Sequence, residues 1–274
     1  MYRAAVGLAI GALALTAGCS VSQSDERAIG AEEAASVDSQ LPILRDTVVT
    51  AFVAKLGQSI ASRTSRADLD WRFAVVNTDD VNAFSLPGGF VYVNRGLIEH
   101  SDRLDELAGV MGHEIGHVVR RHSVRQLQKA AKRDVGVVLL CTLTSACHTL
   151  GGAIAARTVA DAMTARYSQR DETEADSEAV INTVRAGIDP EGLPAFLQWM
   201  MDQRTDQPTP IDAFFATHPT DQARIVSLDR QIAKVARSPH GALASDTPEF
   251  QNIRQHLRAL PPPADTLGAT PRQR

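Results

Sequence analysis

Positive charge is not in excess in this 274-residue chain: 28 Lys and Arg stand against 32 Asp and Glu, a formal net charge of −4. Proteins that grip nucleic acid concentrate cations on one face, so that class is excluded and no nucleic-acid partner is expected. Cysteine is scarce, three in all, too few for a disulfide-dense scaffold. Eighteen glycines and thirteen prolines exclude a collagen-like chain. No internal repeat points to a solenoid, and no block of like charge to an interaction tail. What is present is 44% apolar residues, ample for one sizeable core.

Apolar runs exist but are short. The first, Ala4 to Ala17, follows a single charge, Arg3, and ends in Leu15-Thr16-Ala17-Gly18-Cys19. Small residues directly before a cysteine resemble a bacterial lipoprotein signal. The resemblance implies removal of residues 1–18 and lipidation of Cys19. With Ser20 next, it implies anchoring at the periplasmic face of the outer membrane. Thr16 departs from the leucine usual three positions before that cysteine. Residues 19–38 then read as a polar, lipidated tether, 39–238 as one domain, and 239–274 as a Pro-rich, largely flexible tail. Within that tail only Phe250 to Leu260 has a helical pattern. The second run, Val135 to Leu150, contains His148 and is too short to span a bilayer, so it reads as a buried or membrane-adjacent helical hairpin. It also holds Cys141 and Cys147, which have no matching Cys/His pair for metal binding. An oxidising compartment makes a short disulfide between them plausible.

The central region alternates more clearly. Asp46 to Ser62 is an amphipathic helix pattern. Trp71 to Val76 is rich in aromatic and β-branched residues and reads as a strand. Asn82 to Leu86 and Phe90 to Val93, separated by Pro87-Gly88-Gly89, read as a hairpin. From Ser101, a capping residue, the period becomes helical: Leu104, Leu107, Met111, Ile115 and Val118 form one stripe. The fold class expected is α+β, mostly helical, with a small sheet or hairpin beside this helix.

That helix carries His113-Glu114-Ile115-Gly116-His117, the pattern HExxH. Two imidazoles four residues apart share a face about 6 Å apart along the axis, close enough for both to bind one zinc ion. Glu114 sits beside the first ligand and can act as general base toward a water activated by the metal. A third ligand is needed. Glu172 and Asp176 lie four apart on a second candidate helix, whereas Glu174 points elsewhere. Glu172 can bind metal while Asp176 accepts an imidazole N–H; the same stretch also fits a solvated acidic helix face.

Four blocks together resemble the HtpX and CAAX-prenyl-protease family of zinc metallopeptidases, gluzincins with HExxH and ExxxD motifs, in its periplasmic lipoprotein branch. They are Asn82-Ala83-Phe84-Ser85-Leu86-Pro87-Gly88-Gly89, HEIGH, Glu172-Thr173-Glu174-Ala175-Asp176, and His218-Pro219 with Arg224. The resemblance implies a zincin-like fold with one Zn2+ held by His113, His117 and Glu172. It makes Glu114 the base and Asp176 the partner of a ligand imidazole. By family position His218 approaches the metal, either donating to the developing oxyanion or occupying the open position at rest. Arg224 supports the site or simply pairs with an acid. Gln169 and Ala179 depart from the family's usual Arg and Gly. His100, His122, His148, His240 and His256 have no such setting and read as structural or exposed. Tyr167 faces the cleft or the core.

A protease must hold its substrate extended, and an unpaired strand edge does this through main-chain hydrogen bonds. Asn82, Ala83, Phe84 and Ser85 are the candidate edge. The resemblance implies a metalloendopeptidase that degrades unfolded or misassembled envelope proteins and meets the membrane through its lipid. The alternative is an envelope chaperone or assembly factor with a latent zinc site. A prenyl-protein protease fits the lipoprotein signal and the absence of spanning helices poorly.

Overall fold

A computed structural model describes residues 21–133, 166–207, 209–235 and 241–263. The signal 1–18, Cys19, the run 135–150 with Cys141 and Cys147, His148 and His240 lie outside the described residues. The elements are α1 (Gln23–Gln40), α2 (Thr47–Ala61), β1 (Arg72–Val76), β2 (Ala83–Leu86), β3 (Phe90–Asn94), α3 (Arg95–His100), α4 (Leu104–Val119) and α5 (His122–Arg133). After them come α6 (Gln169–Arg185), α7 (Gly192–Asp202), α8 (Asp212–Thr217), α9 (Gln222–Val235) and α10 (Pro248–Ala259). The described residues thus form the expected mostly helical α+β architecture, with a single three-stranded sheet.

Strand order is β1-β3-β2; β3 runs parallel to β1 and antiparallel to β2. Side chains alternate across the sheet, as a two-residue period requires. Ala83, Ser85, Val91 and Val93 share one face, while Phe84, Leu86 and Tyr92 share the other, where the Phe84 and Tyr92 rings stack at 4.9 Å. The hairpin turn works because Gly88 and Gly89 adopt φ of 82° and 109°, a region that side chains avoid.

The helix α4 is the spine of the core: every residue from Leu104 to Val119 except Glu106 is buried. Glycines let its neighbours come close. A Cβ on Gly116 would lie 2.7 Å from the Ala175 carbonyl oxygen of α6, and one on Gly109 would lie 2.8 Å from Leu193 of α7. The start of α4 differs from the expected one. Ser101 ends α3, its hydroxyl donating to the Leu97 carbonyl, and the Glu106 carboxylate accepts the Asp102 N–H instead.

Two stretches expected outside the domain pack on it. Residues 23–40, expected as part of a tether, form the helix α1, capped by Ser22 and packed through Ala34 and Val37 on the Phe84/Tyr92 face. Its buried positions, Glu26, Ile29, Gly30, Ala34 and Val37, include a charge and two small residues, so hydropathy alone hides it. Gly30 rests on the hairpin turn so tightly that a Cβ would fall 1.7 Å from the Pro87 carbonyl oxygen. Glu26, fully buried, is neutralised by Arg66 and Arg121, each 2.7 Å away. At the other end, α10 is part of the core. Phe250, Ile253 and Leu257 are buried, and Phe250 stacks on Phe52 of α2 at 5.9 Å.

Candidate active site

The site forms where α4 crosses α6 beneath the face of β2. Helical spacing places His113 and His117 one turn apart with their Nε2 atoms 2.9 Å from each other. Ser168 caps α6, its hydroxyl accepting the Asp171 N–H, and this sets Glu172 and Asp176 on the turn facing α4. Glu172 Oε1 lies 3.5 Å from His117 Nε2, and Glu172 Oε2 lies 3.5 Å from His113 Nε2. His218 ends α8, held by the bond of its N–H to the Phe214 carbonyl and by the stacked Phe214 ring. Its Nδ1 lies 3.2 Å from His113 Nε2 and 3.1 Å from Glu172 Oε1, while its Nε2 lies 3.3 Å from Glu114 Oε1. One ligand atom from each of His113, His117, Glu172 and His218 falls within a 4.8 Å cluster, all four residues buried.

The donor set fits a cation. His113 Nδ1 lies 2.8 Å from Asp176 Oδ1, so its hydrogen belongs there and Nε2 keeps its lone pair. His113 Nε2 and His117 Nε2, 2.9 Å apart and each 3.5 Å from a Glu172 oxygen, can turn their lone pairs to one cation. Glu114, Glu172, Asp176 and Arg224 are all buried.

Titration follows the same electrostatics. Burial pushes the Glu114 carboxyl up, only partly offset by His218 and His113. Burial and the neighbouring His113 hold His117 well below the ordinary histidine value. Burial would raise Glu172, but His218 and Arg224 outweigh it and hold this carboxyl well below the usual range. His218 is raised: Glu172 and Glu114 overcome the burial that opposes its charge. Arg224 contacts Glu172 through Nη1 and Asp176 at 2.7 Å through Nη2.

Ser85 Oγ donates to Glu114 Oε2 at 2.9 Å, so β2 orients the carboxylate beside the first histidine. The strand β2 is an edge of the sheet, yet Asn82, Ala83, Phe84 and Ser85 are all buried. Substrate pairing there would require that edge to be uncovered.

Of the two settings expected for His122, structural or exposed, the structure shows a buried one: it is 1% exposed, with its Nδ1 2.7 Å from His117 Nδ1. The periodicity of α4 stops at Val119. Arg121 then turns the chain with φ 57° and starts α5 with His122 under His117. The His at five residues beyond HExxH was the available signal, but only the turn gives it meaning. Tyr167 is buried and lies on the site, its ring stacked 3.8 Å from that of His117. His256 pairs with Asp46 and His100 with the Gly96 carbonyl, both structural as expected.

Residues 48–232, the part of the chain that contains this site, match the Peptidase family M48 pattern. The chain belongs to peptidase family M48. Similar proteins include the beta-barrel assembly-enhancing proteases of Yersinia pestis and Escherichia coli. The first is 29% identical over 87% of this chain and 50% of its own length, the second 30% identical over 77% and 44%. The mitochondrial metalloendopeptidase OMA1 of Schizosaccharomyces pombe is 29% identical over 80% of this chain and 63% of that protein. The chain spans about half the length of the beta-barrel assembly-enhancing proteases it matches. Among the described residues, no helix is long and apolar enough to cross a membrane.

Proposed function

We propose that the chain is a zinc-dependent endopeptidase acting on unfolded or misassembled cell-envelope proteins. The observation that carries this reading is the convergence of His113 Nε2, His117 Nε2 and the Glu172 carboxylate beside the buried Glu114. In it His113, His117 and Glu172 hold one Zn2+, which when bound supplies a Lewis acid for the attacking water and the scissile carbonyl. Glu114 takes a proton from that water at a carboxylate oxygen and later returns it to the leaving amine. Ser85 aims the carboxylate, and Asp176 with Arg224 fixes His113 and Glu172. The edge strand β2 pairs with extended substrate once uncovered, which favours unfolded chains over any fixed sequence.

The choice of substrate is supported by relatives named beta-barrel assembly-enhancing proteases, and anchoring at the outer membrane by the lipoprotein-like residues before Cys19. A chaperone with a latent zinc site is not favoured, because the chain belongs to a peptidase family and its relatives are named as proteases. Casein degradation is the direct test. Glu114→Gln keeps the size of the side chain and removes the base, so it is expected to retain zinc and lose about 10²–10⁴-fold in turnover. Near-normal turnover, or folded wild type without bound zinc on metal analysis, would refute the reading.

A further inference from the structure

The proposed zinc chemistry uses one face of His117 and leaves its other nitrogen unexplained. His113 has a carboxylate of its own, Asp176, on Nδ1. His117 has none: its Nδ1 meets a second imidazole, His122 Nδ1, at 2.7 Å. On the far side His122 Nε2 lies 3.2 Å from Glu174 Oε2 and 3.8 Å from Asp171 Oδ1. Arg125 binds both of those carboxylates, and Arg170 also binds Glu174.

We propose that His122 is a positioning residue for the metal ligand His117, one link of a His117–His122–Glu174 relay that fixes the His117 tautomer. The relay rests on the zinc-site reading above, and the hydrogens in it can be counted. Two Nδ1 atoms at 2.7 Å need one hydrogen between them. If His117 Nε2 is to offer its lone pair to a metal, the hydrogen sits on His117 Nδ1 and His122 Nδ1 accepts it. His122 then carries its own hydrogen on Nε2, where the Glu174 carboxylate accepts it. Every polar atom in the chain is matched, and no other assignment both satisfies Glu174 and frees His117 Nε2. Tyr167, stacked on His117 and sharing a hydrogen bond with Ser123 at 3.0 Å, packs against one face of the His117 ring.

The same three residues, His122, Asp171 and Glu174, lie close enough together to hold a cation of their own. The arginines argue against one. Arg125 already occupies the charge position between the two carboxylates, at 2.7 and 2.9 Å. The cluster is therefore a clamp on His122 and not a second metal site.

Two measurements on the full chain test this. In zinc-loaded protein, nitrogen-detected NMR of labelled histidines should find hydrogen on Nδ1 of His117 and on Nε2 of His122; the reverse at His122 would overturn the relay whatever the variants do. In chelator competition, His122→Leu should lose about 10–100-fold in zinc affinity, the usual effect of removing a partner that orients a ligand. His122→Gln should recover much of that loss, because its amide oxygen can accept the His117 N–H. A His122→Leu protein that melts cooperatively and binds zinc as tightly as wild type would refute the relay. Two zinc ions per wild-type chain, falling to one in His122→Leu, would refute it in favour of a second metal site. Failure of the wild type to bind zinc would instead remove the zinc-site reading on which the relay rests.

Discussion

At the scale of single residues the site is a contest between burial and charge. Burial works against ionising Glu114, Glu172, Asp176 and His218 alike, yet the outcomes differ because the neighbours differ. Glu172 and Asp176 share Arg224 and the imidazoles and stay ionised, whereas Glu114 is raised. His218 sits between the ligand set and the base, where its Nδ1 lies among the atoms that would bind metal. A side chain in that position competes for the place a substrate carbonyl must take. His218→Ala is therefore expected to keep zinc and raise turnover on casein. A loss of about 10²–10³-fold would instead assign His218 to the oxyanion, and unchanged kinetics and zinc affinity would return it to a structural role.

At the scale of elements, the contact of α4 with α6 sets the metal geometry. Gly116 lies between the two histidines and against the Ala175 carbonyl. Gly116→Val would push α6, and with it Glu172, outward; backbone cannot yield as a flexible side chain can. The expected cost is about 1–3 kcal/mol together with reduced zinc content, read by thermal melting and metal analysis. Full zinc loading and an unchanged melting temperature would contradict this account. The clamp between α5 and α6 predicts a pH effect. Asp171, despite partial burial, is held at about 2 by Ser168 and Arg125. Glu174 is held at about 2 by Arg125 and Arg170. Both values are depressed, so the unfolded chain binds more protons between roughly pH 4 and pH 2. Their contribution is complete above about pH 4.5 and is lost as pH falls toward 2. Arg125→Ala should thus lower the melting temperature at pH 6, by an amount that shrinks toward zero near pH 2. Because the Arg125 side chain is 39% exposed, the difference should be small and reduced further by salt.

At the scale of the whole molecule, the first and last described helices, α1 and α10, pack on the rest of the fold. The helix α1 begins at Gln23 and is tied to Arg66, Arg121 and Gly88 through the buried Glu26. If Cys19 carries the lipid, almost no free chain separates the anchor from the folded domain, and the catalytic body is held at the bilayer surface. Cys19→Ser is expected to move the protein from the membrane to the soluble fraction on cell fractionation while leaving casein degradation by the purified protein intact. A variant that stays in the membrane fraction would contradict lipid anchoring.

Periodicity and spacing were sufficient for α2, the hairpin and α4, because each buries one face with a regular repeat of residues such as Leu107, Met111 and Ile115. They were also sufficient for His113, Glu114 and His117, since four-residue spacing on a helix is itself a geometry. Glu172 could be named from sequence but not distinguished from a solvated acidic face; only the approach of α6 to Gly116 buries it beside the histidines. The helix α1 is hard to read from sequence because its buried positions, Glu26, Ile29, Gly30, Ala34 and Val37, mix a charge and two small residues with only two large apolar ones, and the fit of Glu26 and Gly30 depends on two distant arginines and Pro87. His122 was missed for a related reason. No local pattern joins it to His117, and a single left-handed residue, Arg121, folds it back. Helices and paired ligands follow from interactions within one turn of chain, which sequence encodes directly, whereas burial of charge depends on partners from other elements, which only the packed chain brings into reach.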